Sequence, residues 1–423
     1  MKYSTNEEVC QFLEKEEKQM SHKGFLRISL LYVFACGGLL AICLGISGQA
    51  LAAGSDGAVR LGVMLPYTGV YAKVGEDIDK GVKFYLTEQG NKVAGRKVEV
   101  ITEDTQSEPR TGVTKVRKLL ESDKVDAIIG PVSSGVGMAV SQYIIESKVP
   151  QVYAIPGTLK ESGDPPAPNI FRVSFAPIQI GKASALYLYN KLKYRKMVVM
   201  GPDYVWGRAV TEAFKESFEK LGGKVVQMIY PPLGAPDYAP FLSMVKPKEA
   251  DATWVFFAGG DAIRFVKQYA EYGLKGALPL TAAGDLVDEA FLPAQGEAAK
   301  GIISLLSYTP ALDNPVNRKF VESYQKVFNT PPGFFSELGY VATKVIAEGI
   351  KARKGDTKDK KALAAAMQKV QFTAPRGMFR FDENRFAIED MGVRKVDINQ
   401  QGKLVNVVID VIKGIDSSGR LGR

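Results

Sequence analysis

Ser133 and Ser134 sit in the stretch Val125–Gln142, VDAIIGPVSSGVGMAVSQ. Before them runs a short apolar segment, Ala127-Ile128-Ile129, stopped by Gly130-Pro131. After them Val136, Met138, Ala139, Val140, Tyr143 and Ile144 recur at helical spacing. The pattern predicts a buried strand, a loop and a helix, with Ser133 or Ser134 at the helix N-cap. Hydroxyls and open backbone N–H groups at such a junction attract anions. The chemistry on offer is capture of a carboxylate or another small polar head. The same residue types also serve as plain caps in many α/β turns.

Covalent chemistry finds less support. Cys10, Cys36, Cys43 and the single histidine, His22, all precede residue 50. Once an N-terminal segment is removed, Ser-His and Cys-His catalysis and Cys/His zinc sites are excluded, and no disulfide is needed. Asp203 and Asp261 have no partner in the sequence pattern for acid–base work. Gly135-Val136-Gly137 is followed by Met138-Ala139-Val140, so a dinucleotide fingerprint fails at its third glycine. No phosphate-binding G-x-x-x-x-G-K-[ST] run is present. The expectation is a binding protein with no catalytic residues, no metal and no cofactor.

The elements that position these residues come from a chain of 423 residues, enough for two or three domains. Apolar residues make up 46% and charged residues 24%, the balance of a globular protein. The net charge is +9, and the first 52 residues contribute nothing to it because their Lys/Arg and Asp/Glu cancel. Elsewhere basic and acidic residues alternate along helix faces. That is a solvated surface and not a nucleic-acid groove.

The N-terminus looks like an export signal. Met20 opens the basic MSHKGFLR, and Ile28–Ile46 carries no charge. An Ala-x-Ala site follows at Ala50-Leu51-Ala52. Residues 1–52 are therefore expected to be a signal peptide cleaved near Ala52, with Met20 as the true start and a periplasmic mature chain. An uncleaved anchor is the alternative, since the apolar run can span a bilayer. Cys43 follows Ile42 where a lipoprotein would have a small residue.

From Val59 onward strands and helices alternate. Strands are expected at Val59–Leu65, Lys97–Thr102, Ala127–Ile129, Pro150–Tyr153, Met197–Met200, Lys224–Tyr230, Ala252–Phe257 and Gly301–Leu305. Helices fall between them, then at Pro315–Phe328, Phe334–Ala352 and near Lys358–Val370. The chain ends in β-rich segments at Met378–Phe381, Val393–Ile398 and Leu404–Val411. Repeated βα units give parallel sheets covered on both faces. About ten units exceed one compact open sheet, and the rhythm restarts near residue 175. Two doubly wound α/β lobes follow, with ligand in the cleft between the carboxyl ends of their strands.

Four segments carry a family resemblance: Leu65-Pro66-Tyr67-Thr68-Gly69-x-Tyr71-Ala72-x-x-Gly75, Ile129-Gly130-Pro131-x-Ser133-Ser134, Val149-Pro150-Gln151-Val152 and Asp203-Tyr204-x-Trp206-Gly207. In this order they resemble the type I periplasmic solute-binding proteins of ABC importers, above all the leucine/isoleucine/valine-binding group. The resemblance spans residues 58–411. It implies two Rossmann-like lobes joined by three hinge crossovers near 175, 307 and 379. Lobe 1 would hold 58–175 and 308–378, and lobe 2 would hold 176–307 and 379–423.

The resemblance also implies a site. Ser134 and Thr158 match the positions that hold an amino-acid ligand's carboxylate and amine, with Ser133 and Pro156 beside them. Trp206 and Phe335 match aromatic positions, and Tyr71 and Tyr204 lie in the matched loops. Two positions depart from the pattern. Gly284 stands where the family has an amine-binding glutamate, and Asp261 stands where it has an aromatic. Either Asp261 or Asp285 then takes the ammonium, or the ligand has none. The function implied is an extracytoplasmic binding protein that delivers a branched-chain amino acid type of solute to a permease and an ATPase. The alternatives are an aromatic or aliphatic carboxylate or amide as ligand, or a periplasmic sensor of the same fold.

Overall fold

The computed structural model describes residues 57–155 and 166–422. The expected signal peptide, Pro156 and Thr158 lie outside the described residues. Among the described residues no helix is long and apolar enough to cross a membrane.

The first sheet grows from β1 (Val59–Leu65), whose sequence VRLGVML is buried at every position but Arg60. Such a run belongs at the centre of a parallel sheet covered on both faces. β1 pairs in parallel with β3 (Arg96–Asp104) on one side and β4 (Ala127–Ile129) on the other. With β2 (Lys92–Val93), β5 (Gln151–Tyr153) and β6 (Ile170–Arg172) the order is β2-β3-β1-β4-β5-β6. The intervening helices are α1 (Ala72–Glu88), α2 (Pro109–Arg117) and α3 (Ser134–Ser147).

After β6 the chain enters α4 (Pro177–Asn190) and builds a second sheet. Its strands are β7 (Lys196–Met200), β8 (Lys224–Ile229), β9 (Ala252–Val255), β10 (Leu280–Ala283) and β11 (Ile303–Leu306). Between β7 and β8 lies α5 (Val205–Lys220), and between β9 and β10 lies α6 (Gly259–Glu271). The chain then returns to the first sheet with α7 (Pro315–Phe328), α8 (Phe334–Ala352) and α9 (Lys360–Gln368). Here α8 packs on α1 and on β4 and β5. A hairpin of β12 (Gln371–Ala374) and β13 (Gly377–Arg380) leads back to β14 (Glu389–Ile398) and β15 (Leu404–Ile415). These two close the second sheet as antiparallel strands, in the order β15-β14-β11-β10-β9-β7-β8. The chain thus passes between the sheets three times, between Arg172 and Pro177, Leu306 and Pro315, and Arg380 and Glu389.

The element types follow the sequence pattern, and the boundaries differ in a few places. α1 begins at Ala72 and not near Gly75. α2 gives way after Arg117 to a π-turn over Lys118–Ser122. β12 was not expected: QFTA is only four residues long and has β13 as its strand partner in a hairpin. β14 and β15 extend to Glu389 and Ile415, lengthened by mutual pairing.

One buried ion cluster joins the passages. Arg376, in the β12–β13 turn, donates from Nε to Glu337 Oε1 on α8 at 2.9 Å. Its Nη1 donates to Glu389 Oε1 at 2.7 Å and to the Val173 carbonyl at 2.8 Å. Burial pushes Glu389 up to about 7, against the pull of Arg376. Burial also raises Glu337, again opposed by Arg376.

Candidate functional site

The carboxyl ends of strands from both sheets converge on one very small cavity of about 10 Å³. From the first sheet come Tyr71 and Val74 after β1, Val132 after β4 and Ile155 after β5. From the second come Tyr204 and Trp206 after β7, Phe256 and Ala258 after β9, and Asp285 after β10. Strand ends in parallel sheets are where ligands sit, because loops there are free to diverge while the sheet stays rigid. Two larger grooves, of about 510 and 640 Å³, lie on the outer face of the helices around Ala352 and Tyr340. They are open to solvent and lie beside the β12 hairpin strand, away from the strand ends of the two large sheets.

The two halves touch across this cavity. Tyr71 Oη donates to Tyr204 Oη at 2.9 Å, and the rings lie 6.4 Å apart at 50°. The Gly260 N–H donates to the Val70 carbonyl at 3.2 Å. Asp288 reaches from the second sheet and accepts the Phe334 N–H, at the start of α8, at 2.8 Å. A Cβ on Gly333 would lie 2.4 Å from Asp288 Oδ1, so only glycine permits that approach.

Asp285 is the charged group of the cavity. It is 3% exposed, and its Oδ2 has no hydrogen-bond partner among the described residues. Burial pushes its carboxyl up to about 7, offset by its own backbone N–H and by Arg394. An unpaired buried carboxyl oxygen facing a cavity is a natural acceptor for a ligand donor.

The serine turn is as expected in place and different in detail. Ser133 is the N-cap residue, with φ −74 and ψ 129, but neither serine caps the helix through its side chain. Ser134 is 2% exposed, and its Oγ has no partner among the described residues. The hydroxyl is therefore not consumed by the helix. The open N–H groups of the first turn of α3 add donors and a partial positive charge.

The structure brings together Tyr71, Tyr204, Trp206 and Asp285 of the expected site residues. Ser133 and Ser134 directly follow the lining residue Val132. Two others are engaged elsewhere. Asp261 is 1% exposed, forms an ion pair with Arg264 and accepts the Gly234 N–H at 2.8 Å. Burial raises its carboxyl, opposed by that N–H and by Arg264. Arg264 stands one turn along the same helix, so the carboxylate already has its counter-charge. Phe335 points into an aromatic packing with Phe291 and Phe334, at 5.7 and 5.6 Å, and does not line the cavity. Val74, Val132, Ile155, Phe256 and Ala258 went unnoticed in the sequence. Phe256 was findable, since it lies near the carboxyl end of an expected apolar strand.

Strand ends of two sheets meeting at one cavity suit the holding of a small solute. The chain belongs to the periplasmic binding protein family, whose model matches residues 58–403. It is a solute-binding protein of the ABC-transporter type and not an enzyme, in a family that works outside the cytoplasm. It is 30% identical to the Leu/Ile/Val-binding protein homolog 6 of Brucella melitensis, over 88% of this chain and 95% of that one. An ABC transporter substrate-binding protein from Sphaerobacter thermophilus shares 35% identity at a TM-score of 0.80, covering 85% of this chain and 99% of that one. A solute-binding protein of an ABC transporter from R. palustris, in complex with benzoate, shares 34% identity at a TM-score of 0.78, covering 84% of this chain and 98% of that one.

Proposed function

We propose that the protein captures a small aromatic carboxylate bearing a ring hydroxyl and delivers it to the permease and ATPase of an ABC importer. The carrying observation is the unpartnered Asp285 Oδ2, set among Tyr71, Tyr204, Trp206 and Phe256 in one cavity. Aromatic walls suit a flat ring, which prefers edge-to-face and offset contacts. The ligand's carboxylate sits at Ser134 and the N-terminus of α3, as the freed Oγ supports; Thr158, five positions after β5 in sequence, is proposed as its second contact. Its hydroxyl donates to Asp285. Likeness to the benzoate-bound protein of R. palustris supports the ligand class. The working units are lobe 1, residues 58–175 and 308–378, and lobe 2, residues 176–307 and 379–423, in a periplasmic chain freed of residues 1–52.

A branched-chain amino acid is the second reading, favoured by likeness to the Brucella protein. Asp285 would then hold the ammonium, since Asp261 already carries Arg264. Titration calorimetry of residues 53–423 with 4-hydroxybenzoate, benzoate and leucine separates the two. The proposal expects 4-hydroxybenzoate to bind tighter than benzoate, with Asp285→Asn erasing that preference by about tenfold, the worth of one hydrogen bond to a charged group. Binding of leucine alone, lost in Asp285→Asn, would establish the amino-acid reading instead.

A further inference from the structure

We propose that Arg394 is a specificity-determining positioning residue: it fills the space at Gly284, holds that residue's carbonyl, and so makes Asp285 the side chain through which the second sheet reads a ligand's donor group. Only the choice of probe ligands rests on the aromatic-acid reading above.

The cleft-facing end of β10 is Ala283, and the chain turns at once into a short 3₁₀ segment, Gly284–Val287. A Cβ on Gly284 would lie 2.3 Å from Arg394 Nη2, 2.5 Å from Leu306 Cβ and 2.8 Å from the Leu305 carbonyl. No side chain fits there, so the first one that β10 can send into the cavity is Asp285. Arg394 comes from β14 and is wholly buried. Its Nη2 donates to the Gly284 carbonyl at 2.8 Å and to Ser304 Oγ at 3.3 Å, and its Nη1 donates to the Tyr308 carbonyl at 2.9 Å. One guanidinium thus ties β14 to β11 and to the residue before Asp285. A lysine has one ammonium and cannot span three acceptors in a plane.

The charges around Asp285 give Arg394 a second effect. Asp261 and Asp285 both act on the Tyr71 hydroxyl. Asp288 and Glu289 follow in the same loop, with Glu289 Oε2 3.9 Å from Arg394 Nη1. Among the groups acting on Asp285 itself, Arg394 is the cation that favours its ionised form. Losing it leaves the backbone N–H of Asp285 alone to oppose the effect of burial.

The test uses Arg394→Lys, Arg394→Met and Asp285→Asn in residues 53–423. Calorimetry measures benzoate and 4-hydroxybenzoate, and carbon-13 carboxyl resonances follow Asp285 in the ligand-free protein. The Asp285 signal is identified by its loss in Asp285→Asn. Arg394→Lys should weaken 4-hydroxybenzoate by about tenfold and benzoate by less than about threefold, with no further loss when combined with Asp285→Asn. In Arg394→Met the Asp285 carboxyl should titrate about one pH unit higher. If Arg394→Met does not fold, a changed Asp285 midpoint in Arg394→Lys carries the same point. Equal losses for both acids, or an Asp285 titration unmoved in the folded variants, would overturn the inference. A wild-type protein that binds neither acid would defeat the ligand reading, while the carboxyl titration still decides the role of Arg394.

Discussion

The hydroxyls of Tyr71 and Tyr204 meet at 2.9 Å, although 133 positions separate them in the chain. Tyr71 ends the loop after β1, and Tyr204 is the N-cap residue of α5, so the bond spans the two sheets. Both rings line the cavity. Tyr71→Phe keeps the ring and removes the donor. A net hydrogen bond is worth about 0.5–1.5 kcal/mol, so ligand affinity should fall roughly two- to tenfold. Calorimetry with the best-binding acid checks this, and an unchanged affinity would remove the tyrosine pair from the closure mechanism.

Closure also needs Gly333. A methyl group there meets Asp288 Oδ1 at 2.4 Å, where Asp288 holds the Phe334 N–H. Gly333→Ala should keep the lobes apart, so small-angle scattering should show no contraction at saturating ligand. Adding Asp288→Ala removes the obstacle, and contraction should return. Failure of the pair to compensate would place the effect elsewhere.

Ser134→Ala tests the carboxylate cradle. The Oγ has no partner among the described residues, so its removal costs the fold little. A hydrogen bond to a charged group is worth about 1.5–3 kcal/mol, so binding should weaken by about ten- to a hundredfold with the melting temperature nearly unchanged. Wild-type affinity in this variant would reduce the turn to a helix start.

The buried carboxyls predict how stability varies with pH. Glu389 and Asp285 are each raised to about 7, from 4.5 and 3.8. Between those limits the folded state holds more protons than the unfolded one, so stability falls as pH rises. The ligand-free protein should melt at a higher temperature at pH 5.5 than at pH 8. Glu389→Gln should flatten that slope, because Arg376 then faces Glu337 alone in charge. Arg376→Met should instead lower stability by about 3–5 kcal/mol, the usual cost of stranding a buried ion-pair partner. Calorimetric melting across pH 5.5–8 reads both, and a flat wild-type profile would contradict the raised values.

The sequence by itself determined the α/β rhythm, the two sheets and several elements to the residue. α7 and α8 begin and end as expected, at Pro315–Phe328 and Phe334–Ala352. Their apolar periodicity and the proline at the start of α7 are local signals, and local signals survive in a string of letters. The serine turn was legible for the same reason. Asp261 could have been set aside on sequence alone, since Arg264 lies three residues on along a helix.

Only the tertiary structure decided which distant groups meet. Arg394 reaches the Gly284 carbonyl across 110 positions, and Arg376 reaches Val173 across 203. Such pairs depend on sheet order and on an antiparallel return strand, neither of which leaves a periodic trace. The residue that fits no side chain, Gly284, and the carboxyl that faces the cavity, Asp285, are neighbours in sequence. In the proposal above, a guanidinium from β14, two strands along the sheet, decides which of the two addresses a ligand, because packed volume, and not spacing, allots the room for a side chain.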